Sequence, residues 1–392
     1  MSLLSSQAVV GDTKDGGAKP VRVLHLSPGK LYGGVETVLI TLARFRRLCP
    51  AMDPHFGLCY SGRLSRELAE VGVPVHLFGD VQLGRPWTVW RARRQLAELI
   101  EREHYDAIVC HMPWTMAVFG SRVRPALLVF WAHGWHYGNN WLERMAQRVR
   151  PDVAVCNSQF VGATIGNLYP GVETEVLYNP VALAEGPEAM RWRSEARREQ
   201  AAADDTAVII QVSRPEAWKG HLLHLEALAK LKDGNWTCWM VGGPQNAAEQ
   251  EQDREIRRSA ERLGLKDKVR FLGQRSDVPR LLAAADIFCQ PNQGPEPFGM
   301  VFVEALWAGL PVVTTAMGGA LEIVDESCGL LAEPDNAGDL ANLLERLIGS
   351  ADLRARLGEA GPARARRLCD PAAQLGKLAE LIQQSAAKRA NL

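Results

Sequence analysis

Residues 287–319 read IFCQPNQGPEPFGMVFVEALWAGLPVVTTAMGG, and the order of features in this stretch sets the fold class. An apolar run of strand length ends at Pro291, and Gly and Pro then mark a loop. A helix is expected from near Phe298, and Gly309 and Pro311 close it before a second strand, PVVTTA. Strand, loop, helix and strand in this order make one β-α-β unit of a parallel sheet. Near-continuous apolar strands suit a sheet covered by helices on both faces.

The rhythm continues in both directions. In the first half VRVLHLS, HFGLCYS, PVHLFG, AIVCHM, ALLVFWAH, VAVCNS and TEVLY alternate with helical patterns beginning near Gly34, Arg63, Trp87, Trp114, Asn140 and Ser158. It restarts at Ala207 with AVIIQVSR, WTCWMVGG, VRFLGQ, IFCQPN, PVVTTA and GLLAEP. Two such sets in 392 residues predict two doubly wound, Rossmann-like α/β domains, more than one hydrophobic core usually organises. The expected division is a polar leader over 1–20, a first domain over 21–180, a linker and leading helix over 181–206, a second domain over 207–370, and a terminal helix over 371–392 that can cross back to the first domain.

Hydrophobic residues at 47% and charged residues at 23% exclude a disordered chain. The formal net charge of +0 gives no basic face for nucleic acid. The eight cysteines form no Cys-x-x-Cys pair and lie in apolar runs, which reads as buried free thiols in a reducing cytoplasm and argues against a zinc site. No run approaches the roughly 18 apolar residues of a membrane span. The opening MSLLSSQAVVGDTKDGGAKP lacks the basic and apolar regions of a signal peptide. Residues 21–180 hold 17 basic against 13 acidic side chains. Two helices there, around Arg44, Arg46 and Arg47 and around Arg85, Arg91, Arg93 and Arg94, carry Phe45, Trp87 and Trp90. They are candidates for weak contact with an anionic membrane surface, a solvated helix face being the alternative.

In open α/β sheets ligands collect beyond the carboxyl ends of the strands. The unusual local sequences fall there. SPGKLYGGVET follows the first strand, and Gly33 and Gly34 let backbone approach a phosphate or sugar closely, although a plain tight turn has the same composition. RPEAWKG places Arg214 and Lys219 on a short loop before a helix, where two cations would neutralise a pyrophosphate. Glu296 sits in a strand-to-helix loop and Glu304 on the helix that follows. Two carboxylates can each accept hydrogen bonds from vicinal hydroxyls of a sugar, with the amides of Phe298, Gly299 and Met300 free to donate beside them. The alternative is an acid favouring the helix dipole and a buried, paired glutamate. His133, between Trp131 and Trp135 at a strand end, is either a satisfied structural residue or a group facing the cleft. The tryptophans and Tyr137 offer flat faces for sugar stacking or for packing.

Glu296 and Glu304 with Pro-Phe-Gly between, preceded by SRPEAWKG and followed by AGLPVVTT and GG-x-x-E, closely resemble the retaining glycosyltransferases of family 4, which have the GT-B fold. GG-x-E near the start, HG after the fifth strand and FLG in the second half extend the resemblance from Val21 to about Leu381. It implies that Arg214 and Lys219 bind the donor diphosphate, that Glu296 contacts hydroxyls of the transferred sugar and Glu304 the ribose, and that His133 faces the donor sugar. Gly33 and Gly34 would lie beneath the phosphates or line the acceptor side. Gly242 and Gly243, with Gln274 and Arg275, would edge the nucleoside pocket, and the amides after Pro297 would complete the sugar grip.

The same resemblance implies retention at the anomeric carbon without a protein nucleophile, a UDP- or GDP-hexose donor, and a saccharide or lipid-linked acceptor. It implies no metal and no other cofactor, and the Asp-x-Asp signal of metal-bound donors is missing. Localisation would be cytoplasmic, with peripheral contact at the inner membrane face. A sugar-nucleotide epimerase of the same fold and a non-catalytic nucleotide-sugar binder are the competing readings. Retention of both Arg214 and Lys219 disfavours the latter.

Overall fold

In a computed structural model of the chain, residues 19–30, 32–182, 188–231 and 234–390 are described. The expected leader lies outside them apart from Lys19 and Pro20, as do residues 183–187 of the linker. Each apolar run foreseen from the sequence forms a strand. In the first half these are β1 (Val21–Ser27), β2 (Met52–Leu58), β3 (Val75–Leu77), β4 (Ala107–His111), β5 (Leu127–Ala132), β6 (Val153–Cys156) and β7 (Glu173–Val176). They build a parallel sheet in the order β3-β2-β1-β4-β5-β6-β7. The second half gives β8 (Ala207–Val212), β9 (Trp236–Val241), β10 (Val269–Gly273), β11 (Ile287–Gln290), β12 (Val312–Thr315) and β13 (Gly329–Ala332), a parallel sheet in the order β10-β9-β8-β11-β12-β13. In each sheet the chain winds outward one way and then reverses past the first strand, which leaves a crevice at the reversal beside β1 or β8.

The central strands are buried on both faces, so each sheet separates two apolar layers. Helix starts follow local chemistry. Asn140 accepts from the Glu143 amide at 2.9 Å to begin Trp141–Ala146, and Ser158 accepts from the Val161 amide at 3.0 Å to begin Gln159–Gly162.

The terminal helix, Pro371–Ala390, leaves the second half and packs on the first. Leu375, Leu378, Ala379 and Ile382 join Val38, Leu39 and Val129 in one apolar cluster. Each fully buried Leu or Ile there contributes about 2 kcal/mol of transfer free energy. Lys388 pairs with Glu173, and Arg389 donates to the Ala126 carbonyl at 2.8 Å. All eight cysteines are buried and unpaired, as their apolar settings imply. Among the described residues no helix is long and apolar enough to cross a membrane.

Candidate active site

Two loops at the carboxyl edge of the second sheet are fastened to each other before any ligand is considered. Gln211, fully buried at the end of β8, donates to the Lys219 carbonyl at 3.0 Å and accepts from Nδ1 of His224 at 2.8 Å. The Gln293 amide donates to the Trp218 carbonyl at 2.8 Å. Gly220, at φ +69°, lies so close to the next loop that a Cβ would stand 1.7 Å from the Pro291 carbonyl oxygen, so only glycine fits.

This contact brings Nζ of Lys219 to 2.8 Å from Oε2 of Glu296, with the ammonium 3.8 Å from the centre of the Trp218 ring. Asn292 donates to the same Oε2 at 2.9 Å. Asn292 is itself held by Gln290 at 3.0 Å and by the Thr315 hydroxyl on its carbonyl. Both donors use Oε2, and no donor reaches Oε1 of Glu296 among the described residues. The Glu296 backbone forms a parallel bridge with Gly318, and its carbonyl accepts from the Gly319 amide at 2.7 Å. The Gly-Gly pair therefore braces the acidic loop from behind.

The helix after this loop is Met300–Trp307, which starts two residues later than the sequence suggested. Phe298 is buried in the core of the second half with the Tyr178 ring stacked on it, and Gly299 at φ +97° makes the turn into the helix. Glu304, in the second turn, is half-buried, and its carboxylate has no hydrogen bond or ion pair among the described residues. Its burial pushes the carboxyl pKa up to about 7. An unpartnered carboxylate in this position is the reverse of the paired glutamate that a purely structural role would require.

The other predicted residues divide. Arg214 is bracketed by Glu249 at 2.5 Å and Glu216 at 2.7 Å, not by the Glu296 and Glu304 carboxylates. The sequence reading named neither of its partners. Its charge is still felt by Glu36 in the first half. The Gly242 amide donates to the Gly273 carbonyl at 2.8 Å, and Gly243 lies against Gln274. Arg275 is turned onto Asp277 through two contacts of 2.7 Å and touches no other candidate among the described residues.

From the first half, the amide of Gly33 donates to Oε2 of Glu36 at 2.9 Å to begin the helix Gly34–Phe45. A Cβ on Gly34 would lie 3.7 Å from the Met300 sulfur, so this loop abuts the start of the Glu304 helix. The Tyr32 carbonyl accepts from Gln245 at 2.9 Å across the same gap.

His133 stands just beyond β5, its Nε2 2.8 Å from Nδ1 of His111. Burial pushes its pKa down to about 3, so its ring is neutral at physiological pH. Trp131 is fully buried and stacks on His111 and His133, which removes it as a sugar platform. Trp135 packs edge-on against Phe160, and Tyr137 is 68% exposed. Beyond His111 the chain turns at once through Met112 at φ +76°. Such a conformation costs a β-carbon-bearing residue about 1–3 kcal/mol, and the Thr115 hydroxyl holds the turn through the carbonyls of His111 and Met112 at 2.7 and 2.9 Å.

The two halves are tied beside the acidic loop. The Ser158 hydroxyl donates to the Pro297 carbonyl at 2.6 Å. Glu322, the acid of GG-x-x-E, accepts from the amides of Gln159 and Phe160 at 2.8 and 2.9 Å and from the Tyr178 hydroxyl at 3.0 Å. A carboxylate from one half thus caps a helix of the other. The motif was visible in the sequence, but its partner was not.

The model of group 1 glycosyl transferases matches residues 193–364, and that of glycosyltransferase family 4 matches residues 32–185. The two matches together take in most of the chain and support a glycosyltransferase of the family 4 type. The chain is 34% identical over 163 residues to the lipopolysaccharide glucosyltransferase WaaG of Escherichia coli, covering 40% of this chain and 41% of WaaG. It is 35% identical over 186 residues to the D-inositol 3-phosphate glycosyltransferase of Corynebacterium jeikeium, covering 46% of this chain and 44% of that protein. These alignments span less than half the length of either relative. Over the whole fold the chain superposes on Anabaena HepE in complex with UDP and glucose with a TM-score of 0.81 at 26% identity, covering 93% of this chain and 100% of HepE. Its two parallel-sheet domains are the GT-B architecture.

Proposed function

We propose that the protein transfers a hexose-type sugar from a nucleotide-diphosphate sugar to a hydroxyl acceptor, with retention at the anomeric carbon and without a metal. The observation that carries the reading is the Lys219–Glu296–Asn292 contact beside the unpartnered Glu304, at the edge where Gly34 meets Met300. In this reading Oε1 of Glu296 accepts from hydroxyls of the transferred sugar, and Glu304 accepts from the ribose diol. Lys219 and Arg214 stabilise the charge that develops on the departing diphosphate. Arg214 would exchange part of its contact with Glu216 and Glu249 for phosphate oxygens. The donor phosphate takes the acceptor proton, since the one carboxylate near the sugar is already engaged as its grip. Because HepE was crystallised with UDP-glucose, UDP-sugars are the first donors to try. The acceptor would be a saccharide or a lipid-linked saccharide. Trp87 and Trp90, both 64% exposed on a helix that also carries Arg94, would supply weak contact with an anionic membrane.

The test begins with a thermal-shift screen over UDP, GDP, ADP and their sugars, where a bound donor raises the melting temperature. The anomeric proton coupling of the product is then read by NMR. Retained coupling and turnover unchanged by EDTA are expected. Inverted product or loss of activity in EDTA would overturn those parts of the reading, and rearranged donor in the absence of any acceptor would point to an epimerase.

A further inference from the structure

Three histidines from three adjacent strands of the first sheet form one line. Nδ1 of His25, in β1, lies 3.0 Å from Nε2 of His111 at the end of β4, and Nδ1 of His111 lies 2.8 Å from Nε2 of His133 beyond β5. Their rings stack against Trp131 and Phe56, and His25 and His111 are fully buried. At the inner end, Nε2 of His25 is enclosed and has no partner among the described residues. At the outer end, Nδ1 of His133, a partly buried residue, has no hydrogen-bond partner among the described residues.

A neutral imidazole has one N–H, and each contact in the line needs one donor and one acceptor. If the protons pointed inward, His25 would hold a buried N–H with no acceptor, the most costly kind of orphan. If His111 donated at both ends it would be an imidazolium, which its complete burial opposes. The arrangement left has every ring protonated at Nδ1, with His133 presenting an N–H outward. The strained turn at Met112, directly after His111, is consistent with a ring held in a required direction.

We propose that His25 and His111 are positioning residues that fix His133 as a hydrogen-bond donor through Nδ1, aimed at an oxygen of the donor sugar. This rests on the reading above that His133 faces that sugar. The line also bars His133 from acting as a base: Nδ1 already carries its proton, and freeing a lone pair there would shift the protons inward and leave an N–H on Nε2 of His25 without an acceptor. His111 is the decisive link. Without its donor, His133 can move its proton to Nε2, the tautomer that would leave only an acceptor facing the ligand.

The test is a two-bond proton–nitrogen correlation spectrum of the full chain with nitrogen-15 in its histidines. In wild type the His133 proton is expected on Nδ1. In His111→Phe it is expected to shift toward Nε2, with kcat falling roughly tenfold while donor KM changes little. In His111→Asn, whose amide can donate from where Nδ1 stood, both are expected to return toward wild type. A wild-type proton on Nε2 of His133 would overturn the proposal even if no variant folded. So would a folded His111→Phe with unchanged tautomer and kcat. Undiminished transfer by His133→Ala would instead remove the sugar contact from the proposed function, while the wild-type spectrum still decides the direction of the line.

Discussion

Lys219 and Glu296 come from different strand ends, 77 positions apart, and meet at 2.8 Å with both side chains almost enclosed. Asn292 completes the contact on the same carboxylate oxygen, so removal of either charged partner leaves the other badly solvated as well as taking a group from the site. Lys219→Ala and Glu296→Ala are each expected to lower transfer by at least ~10²-fold. Their effects should fall far short of adding in the double variant, because the two act on one another. Steady-state kinetics on all three, with circular dichroism to verify folding, measures this. Near-wild-type turnover in both single variants would remove the site from this cleft edge.

Glu322 ties the halves together, accepting two amides and a hydroxyl from the first half. Glu322→Ala leaves the first-turn amides of Gln159–Gly162 uncapped and should cost about 1–2 kcal/mol. Since those contacts lie against the Pro297 carbonyl that Ser158 also holds, the variant should also open the cleft. Small-angle scattering is expected to show a larger radius of gyration for the unliganded variant than for wild type, with donor narrowing the gap. Identical scattering curves would mean that Glu322 caps a helix and nothing more.

The strands were legible because a parallel sheet covered on both faces demands apolar runs, and such runs survive any change of partner. The loops were legible where a motif depends on neighbours in sequence, as Pro297-Phe298-Gly299 does. What stayed hidden depends on which side chains the fold turns toward one another, whether near or far in the chain. Glu216 and Glu249 as partners of Arg214, Asn292 on Glu296, and His25 and His111 behind His133 are ordinary residues until the fold brings them within 3 Å or so. The apolar stripe of Pro371–Ala390 showed that the helix must be covered but not by which sheet. Trp131 stayed open for the same reason, since a tryptophan at a strand end can face the cleft or fill the core, and here it fills the core.

The thiols offer a check on packing that does not involve the site. All eight cysteines are buried, and burial pushes their pKa values upward, for Cys59, Cys110 and Cys156 to about 12. A thiol-specific chromogenic reagent at pH 8 should therefore find almost no fast-reacting group in the native protein and all eight after denaturation. A rapid stoichiometric burst from the native protein would place at least one cysteine at the surface.

Glu304 gives the site a pH dependence whose sign can be worked out. Its carboxyl is raised from 4.5 in the unfolded chain to about 7 in the folded one by burial. Between those values the unfolded chain has released the proton that the folded chain still holds. Stability of the unliganded protein should therefore fall as pH rises from about 4.5 to 7, by at most roughly 1.4 kcal/mol per pH unit from this group. Donor affinity should move the other way, because a ribose diol donates best to the ionised form, and it should level off above about pH 7.5. Glu304→Gln has no proton to lose, so it should be more stable than wild type at pH 8, bind donor more weakly there, and lose both slopes. Calorimetric titration with UDP and thermal melts from pH 5 to 8.5 measure the two trends, and parallel slopes in wild type and Glu304→Gln would show that the carboxylate reaching the ligand is another one.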